Sequence, residues 1–122
     1  MTPEEIKAAN ALIAQVVDGM TLEEIEEYHF SGLSWYDNNA RSLMRVEEWL
    51  AEREFPMITC RGNKFPGKWV TSAANGDRDN VKVSTVDVSD GYMQSRYNAC
   101  CVLVERIVEQ AGSIQAAREW RP

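Results

Sequence analysis

The chain has 122 residues, 44% of them hydrophobic, and a formal net charge of −6. That length fits one domain, residues 1–122, able to bury a core without metal or disulfide staples, and the even spread of apolar residues excludes a disordered tail or a low-complexity tract. Nonspecific DNA binding needs clustered cations, which a broadly anionic chain does not offer.

The charge is uneven along the chain: residues 1–54 carry twelve acids against four bases, and residues 55–122 carry seven against nine. No repeat period is visible, and the longest apolar runs, such as residues 100–104, fall far short of a membrane span. The acidic opening Thr2-Pro3-Glu4-Glu5 lacks the basic start of a secretion signal, so a cytoplasmic protein is expected. Cys60, Cys100 and Cys101 form neither a disulfide framework nor a paired zinc-ligand spacing. Reduced thiols follow, with adjacent Cys100 and Cys101 acting as small buried hydrophobes.

In chain order, Thr2-Pro3-Glu4-Glu5 reads as a capping box, and Ile6, Ala9, Ile13, Val16 and Val17 make one helical face before a left-handed stop at Gly19. Thr21-Leu22-Glu23-Glu24 repeats the box and predicts a second helix of about two turns towards Tyr28. Residues 29–36 read as an ordered aromatic loop. Asp37 is the predicted cap of a third helix with the stripe Ala40, Leu43, Val46 and Leu50, ending near Pro56.

From Met57 the pattern changes to three short β-rich segments, residues 57–60, 68–73 and 81–88, the last two joined by a loop through Asn75-Gly76. Val81 and Val83 fall on one face of the third strand and Val86 and Val88 on the other, which implies a bulge near Ser84 or burial on both faces. Ser89 or Asp90 is the expected cap of a long final helix. Its seam is Met93, Tyr97, Cys100, Val104, Val108 and Ala111, and Gly112 ends it. Residues 113–122 read as a short tail or one more turn. The predicted architecture is α+β: a three-stranded antiparallel sheet packed between N-terminal helices and a long C-terminal helix.

The element order, together with Tyr28-His29-Phe30-Ser31, Trp35, Met44-Arg45-Val46-Glu47-Glu48-Trp49-Leu50, Gly67-Lys68-Trp69 and Tyr97-Asn98-Ala99-Cys100-Cys101, resembles the phage ABA-sandwich domain family of small phage and prophage proteins. The resemblance implies a phage origin and this fold; it brings no catalytic motif.

No serine nucleophile elbow, phosphate-binding glycine loop or histidine metal motif is present, and neither a cofactor nor a catalytic site is expected. The paired acids stand in first turns or on solvated helix faces. Two groups point to recognition instead. Arg61, Lys64, Lys68, Trp69 and Arg78 combine cations with an aromatic face and suit a phosphate-bearing, stackable ligand. Glu23, Glu24, Glu26 and Glu27, with Tyr28, Trp35, Tyr36 and Arg41, offer an acidic, aromatic surface for a basic partner protein. The expected function is that of a phage accessory protein acting by non-covalent binding, inhibiting a host antiviral defence by sequestering a nucleotide-like signal or by masking an effector surface. The alternatives are a small hydrolase or transferase using His29 and a cysteine, and a structural phage component. A homodimer through Trp120 and the final helix seam is a further option.

Overall fold

In the computed structural model, which describes residues 1–31, 35–75 and 82–122, both capping boxes form. Helix α1 spans Pro3–Val16; Glu5 N donates to Thr2 Oγ1 at 3.2 Å and Thr2 N to Glu5 Oε1 at 3.0 Å. Helix α2 spans Leu22–Ser31, with Glu24 N on Thr21 Oγ1 and Thr21 N on Glu24 Oε1. It runs three residues into the stretch expected as loop, because nothing in His29-Phe30 breaks a helix and the loop chemistry begins only with Ser31-Gly32. Between α1 and α2, Gly19 takes φ +64 as expected and Met20 N returns to Ala14 O.

Helix α3 spans Ala40–Ala51, and its cap is Asn39, not Asp37: Ser42 N donates to Asn39 Oδ1 at 3.1 Å. Asp37 is drawn elsewhere, accepting a hydrogen bond from buried Asn10 at 3.0 Å. Strands β1 (Met57–Arg61), β2 (Trp69–Asn75) and β3 (Lys82–Ser89) form one antiparallel sheet in the order β1-β2-β3. The bulge is real: Thr71 faces Asp87 and Ser72 faces Thr85, which leaves Val86 as the extra residue, two positions beyond Ser84. Most of the connection through Gly76 lies outside the described residues.

Helix α4 spans Tyr92–Ala111 and begins at Gly91 without a side-chain cap, contrary to the expectation for Ser89 or Asp90. Ser89 still belongs to β3 and donates to Asp87 Oδ2 at 2.5 Å, while Asp90 pairs with Lys68. Gly112 ends α4 at φ +90, and α5 (Ile114–Arg118) follows behind a Ser113 cap.

These five helices and three antiparallel strands make an α+β fold, with α4 as the middle layer: it meets all three strands and also α1, α3 and α5. That position explains why adjacent Cys100 and Cys101 are both buried, together with Ala99, Leu103, Val104 and Ile107. A helix covered on two sides buries a wider arc than a single seam. Polar links tie the layers. Thr71 Oγ1 lies 2.7 Å from Thr59 Oγ1 and 2.8 Å from Ser95 Oγ, joining β1, β2 and α4. Arg53, 4% exposed, stacks 3.6 Å over Trp49 and donates to Trp49 O and Arg118 O, while Arg118 Nε donates to Gln15 O.

Thr71 and Ala73 of β2 face α4, so Val70, Ser72 and Ala74 face away. The register puts Ile58 and Cys60 of β1 on that outward side and, because of the bulge, Val83, Thr85 and Val88 of β3 with them. Among the described residues no helix is long and apolar enough to cross a membrane.

Candidate functional site

One open concavity among the described residues follows directly from the helical period of α1 and α2. Glu4, Lys7, Ala8 and Ala11 share one face of α1, and Leu22, Ile25, Glu26 and His29 share one face of α2. The turn at residues 17–21 sets these faces against each other around an open groove of about 800 Å³. Ile25, 3% exposed, closes its floor beside Ala8 and Ala11, while Leu22 stands 67% exposed at one end. Glu4, Glu23 and Glu26 supply three rim carboxylates against one cation, Lys7.

His29 closes the other end. Its ring centre lies 4.6 Å from that of Trp35, and its Nε2 is shielded from solvent with no hydrogen-bond partner among the described residues. Burial, with Lys7 adding to it, holds the imidazole below its ordinary pKa against the opposing pull of Glu26, so the ring is neutral near pH 7. The surroundings of His29 are therefore Lys7, Glu26 and Trp35, whereas Cys100 sits among Glu47, Cys101 and Arg96. Burial pushes the Cys100 thiol well up and the Cys101 thiol up to about 12, which disfavours a thiolate nucleophile at either. Cys60 is exposed on β1. Among the described residues no group of three or more His, Cys, Asp or Glu side chains could hold a metal ion.

The acidic and aromatic residues expected to bind a partner divide. Glu23 and Glu26 line the groove; Glu24 is exposed but held by its capping box, and Glu27 is exposed off the groove. Trp35 is half-buried, its ring centre 4.3 Å from Tyr28 and 6.0 Å from Tyr36. Tyr36 is a core residue, 3% exposed, and its hydroxyl donates to Asp18, which also receives Arg45 Nη2 at 3.0 Å. Burial, then that carboxylate, raises its phenol pKa. Tyr28, Trp35 and Tyr36 thus cover the core before α3, and of the four non-acidic candidates Arg41, on the first turn of α3, is the one that stands exposed.

The hairpin cations also assemble only in part. Arg61 lies opposite Trp69 in the β1–β2 register, with its guanidinium 4.9 Å above the indole. Tyr92, the first residue of α4, meets Trp69 edge-on at 5.0 Å, and Arg96 lies 5.2 Å over Tyr92 while gripping Glu47 through two nitrogens. Lys68 is neutralised by Asp90, Lys64 is exposed in the loop, and Arg78 lies outside the described residues. Arg61 is left as the cation of this stack without an ion pair among the described residues. Sequence reasoning missed Tyr92, although its place just after β3 puts it beside the start of β2.

Comparison with known proteins adds no further constraint. Neither a family model, nor a curated protein, nor a solved structure matches the chain.

Of the two sites, the groove has the volume and a mainly negative lining, three carboxylates to one lysine. The Arg61–Trp69–Tyr92 stack has the chemistry for a planar anion but sits among Asp90 and Glu47, which have already claimed its neighbouring cations.

Proposed function

We propose that the protein acts by non-covalent binding, with the α1–α2 groove receiving a basic amphipathic helix of a partner protein. The observation that carries this reading is the open cleft of about 800 Å³, apolar at Ala8, Ala11, Leu22 and Ile25 and rimmed by Glu4, Glu23 and Glu26. A helix laid in such a groove buries its apolar face on the floor and sets lysines or arginines against the rim. The resemblance of the sequence to phage proteins makes a host effector the natural partner, and occupancy of its basic helix would mask the surface that the effector needs in antiviral defence.

The test is affinity capture of host proteins on wild type, on Glu23→Lys/Glu26→Lys and on Glu27→Lys. A partner held by wild type and Glu27→Lys, released by the groove double variant and weakened by salt, supports the reading. A partner retained equally by all three sinks it.

A second reading rests on Arg61 poised over Trp69. A preorganised guanidinium beside an indole and Tyr92 suits a nucleotide-like anion, and sequestration of such a signal would also blunt a defence response. Calorimetry across a nucleotide panel decides it: heat without turnover, abolished in Trp69→Ala and Arg61→Ala, favours it, and silence across the panel rejects it.

A further inference from the structure

An antiparallel sheet with one face in water normally turns polar side chains to the water. Here the polarity is reversed. The charged residues of the strands, Arg61, Lys82 and Asp87, all fall on the α4 side of the register, and every described outward residue is uncharged. Ile58 is 67% exposed and Val83 69%, although both are β-branched hydrophobes at strand positions that a solvated face would fill with Thr, Lys or Glu. Phe65, 44% exposed, extends the patch: its loop folds back over Val70 so closely that a Cβ on Gly62 would stand 2.7 Å from Val70 Cγ2. The bulge at Val86 contributes too, because without it Val83 and Val88 would point to opposite faces.

We infer that this outward face is a self-association surface, packed sheet to sheet against a second copy of the chain about a two-fold axis. Three features select that occupant. An uncharged face accepts only an uncharged face, since burying an unpaired charge is costly, and a two-fold copy presents the same uncharged residues. Side-chain size is self-complementary over part of the face: bulky Ile58 and Val83 stand on the outer strands directly opposite the small Ser72 and Ala74 of the central one, so a copy offset by one strand sets its bulky side chains over the small ones. The dimer candidates that the sequence offered are used inside the chain, because Trp120 stacks on Phe55 at 6.1 Å and Tyr97, Cys100 and Val104 of the α4 seam are buried.

The size of the face sets the strength. Three strands about 4.8 Å apart and about five residues long give roughly 250 Å² of projected area per copy. Stable interfaces bury about 800 Å² on each partner, so this dimer is a weak, concentration-dependent one.

Sedimentation equilibrium from low micromolar to millimolar protein tests the inference on wild type, Ile58→Lys, Val83→Lys and the milder double variant Ile58→Thr/Val83→Thr. Circular dichroism and thermal melting confirm that each variant folds, as expected for side chains two-thirds exposed in the monomer. The expected result is a wild-type mass rising towards the dimer, with each lysine weakening association by at least about tenfold and the threonine pair shifting it the same way. A wild type that stays monomeric to millimolar concentration overturns the proposal, as does a dimer indifferent to both lysines, which would pair through strand edges or another surface.

Discussion

Asn10 is 3% exposed on a helix whose other inward residues are apolar, and replacing it by alanine exposes how much the fold depends on one buried amide. Its Oδ1 accepts the Tyr97 hydroxyl at 2.8 Å and its Nδ2 donates to Asp37 Oδ1 at 3.0 Å, so one side chain joins α1, α4 and the turn before α3. In Asn10→Ala the Tyr97 hydroxyl loses its 2.8 Å partner and is left with a 3.3 Å bond to Ile6 O and the Cys101 thiol, and Asp37 loses the Asn10 donor. Each buried polar group left unpaired costs about 1–3 kcal/mol, and half-buried Asp37 recovers part of its share from water, so the expected loss is about 2–4 kcal/mol. Against a domain stability of about 5–15 kcal/mol that is a large fraction, and at about 3–6 °C per kcal/mol it lowers the melting temperature by roughly 10 °C. Urea unfolding of Asn10→Ala, Tyr97→Phe and the double variant measures it, with an unchanged m-value and a coupling of about 1 kcal/mol or more between the two sites. A loss below about 0.5 kcal/mol, or strict additivity, would refute the reasoning.

Other consequences are as direct. In native protein a thiol-alkylating reagent should modify exposed Cys60 and spare Cys100 and Cys101, all three reacting after denaturation; mass spectrometry showing rapid native labelling of either α4 cysteine contradicts the assigned core. Because His29 has a folded pKa below its unfolded value of about 6.5, the unfolded chain takes up its proton first, and the stability this neutral ring contributes is lost as the pH falls from about 6.5 through the folded pKa. His29→Gln should flatten that part of the stability–pH curve, and an identical slope in the variant would disprove the shift. Gly62→Ala drives a methyl to 2.7 Å from Val70 Cγ2 and should cost about 1–3 kcal/mol in chemical denaturation, whereas a neutral result means that the loop yields.

Much of the fold was legible because its signals are local. Thr2 with Glu5, and Thr21 with Glu24, mark helix starts through reciprocal hydrogen bonds within four residues, and Gly112 marks a stop through a backbone angle that other residues resist. The valine phase shift on β3 likewise encodes its own bulge. What failed was competition at a distance. Asp37 is as good a cap as Asn39 by local chemistry, but buried Asn10, 27 positions away, takes it. Asp90 in the same way goes to Lys68. The acids of the candidate groove were visible as charge, yet which of them share a face with Leu22 and His29 depends on how α1 and α2 meet. Tyr36 looked like a surface anchor because aromatic residues in a Ser- and Gly-bearing segment serve both roles, and only the packing against Asp18 reveals which.

The central claim is that the α1–α2 groove binds a basic amphipathic helix. Titrating isotope-labelled protein with a synthetic Lys/Arg-bearing amphipathic helical peptide, and with the same peptide carrying Glu in place of each cation, tests it by amide chemical-shift mapping. The account predicts shifts confined to Ala8, Ala11, Leu22, Ile25 and His29 and their neighbours for the basic peptide, lost with the acidic one and in Glu23→Lys/Glu26→Lys. Shifts centred elsewhere on the molecule, or an equal response to both peptides, would contradict it.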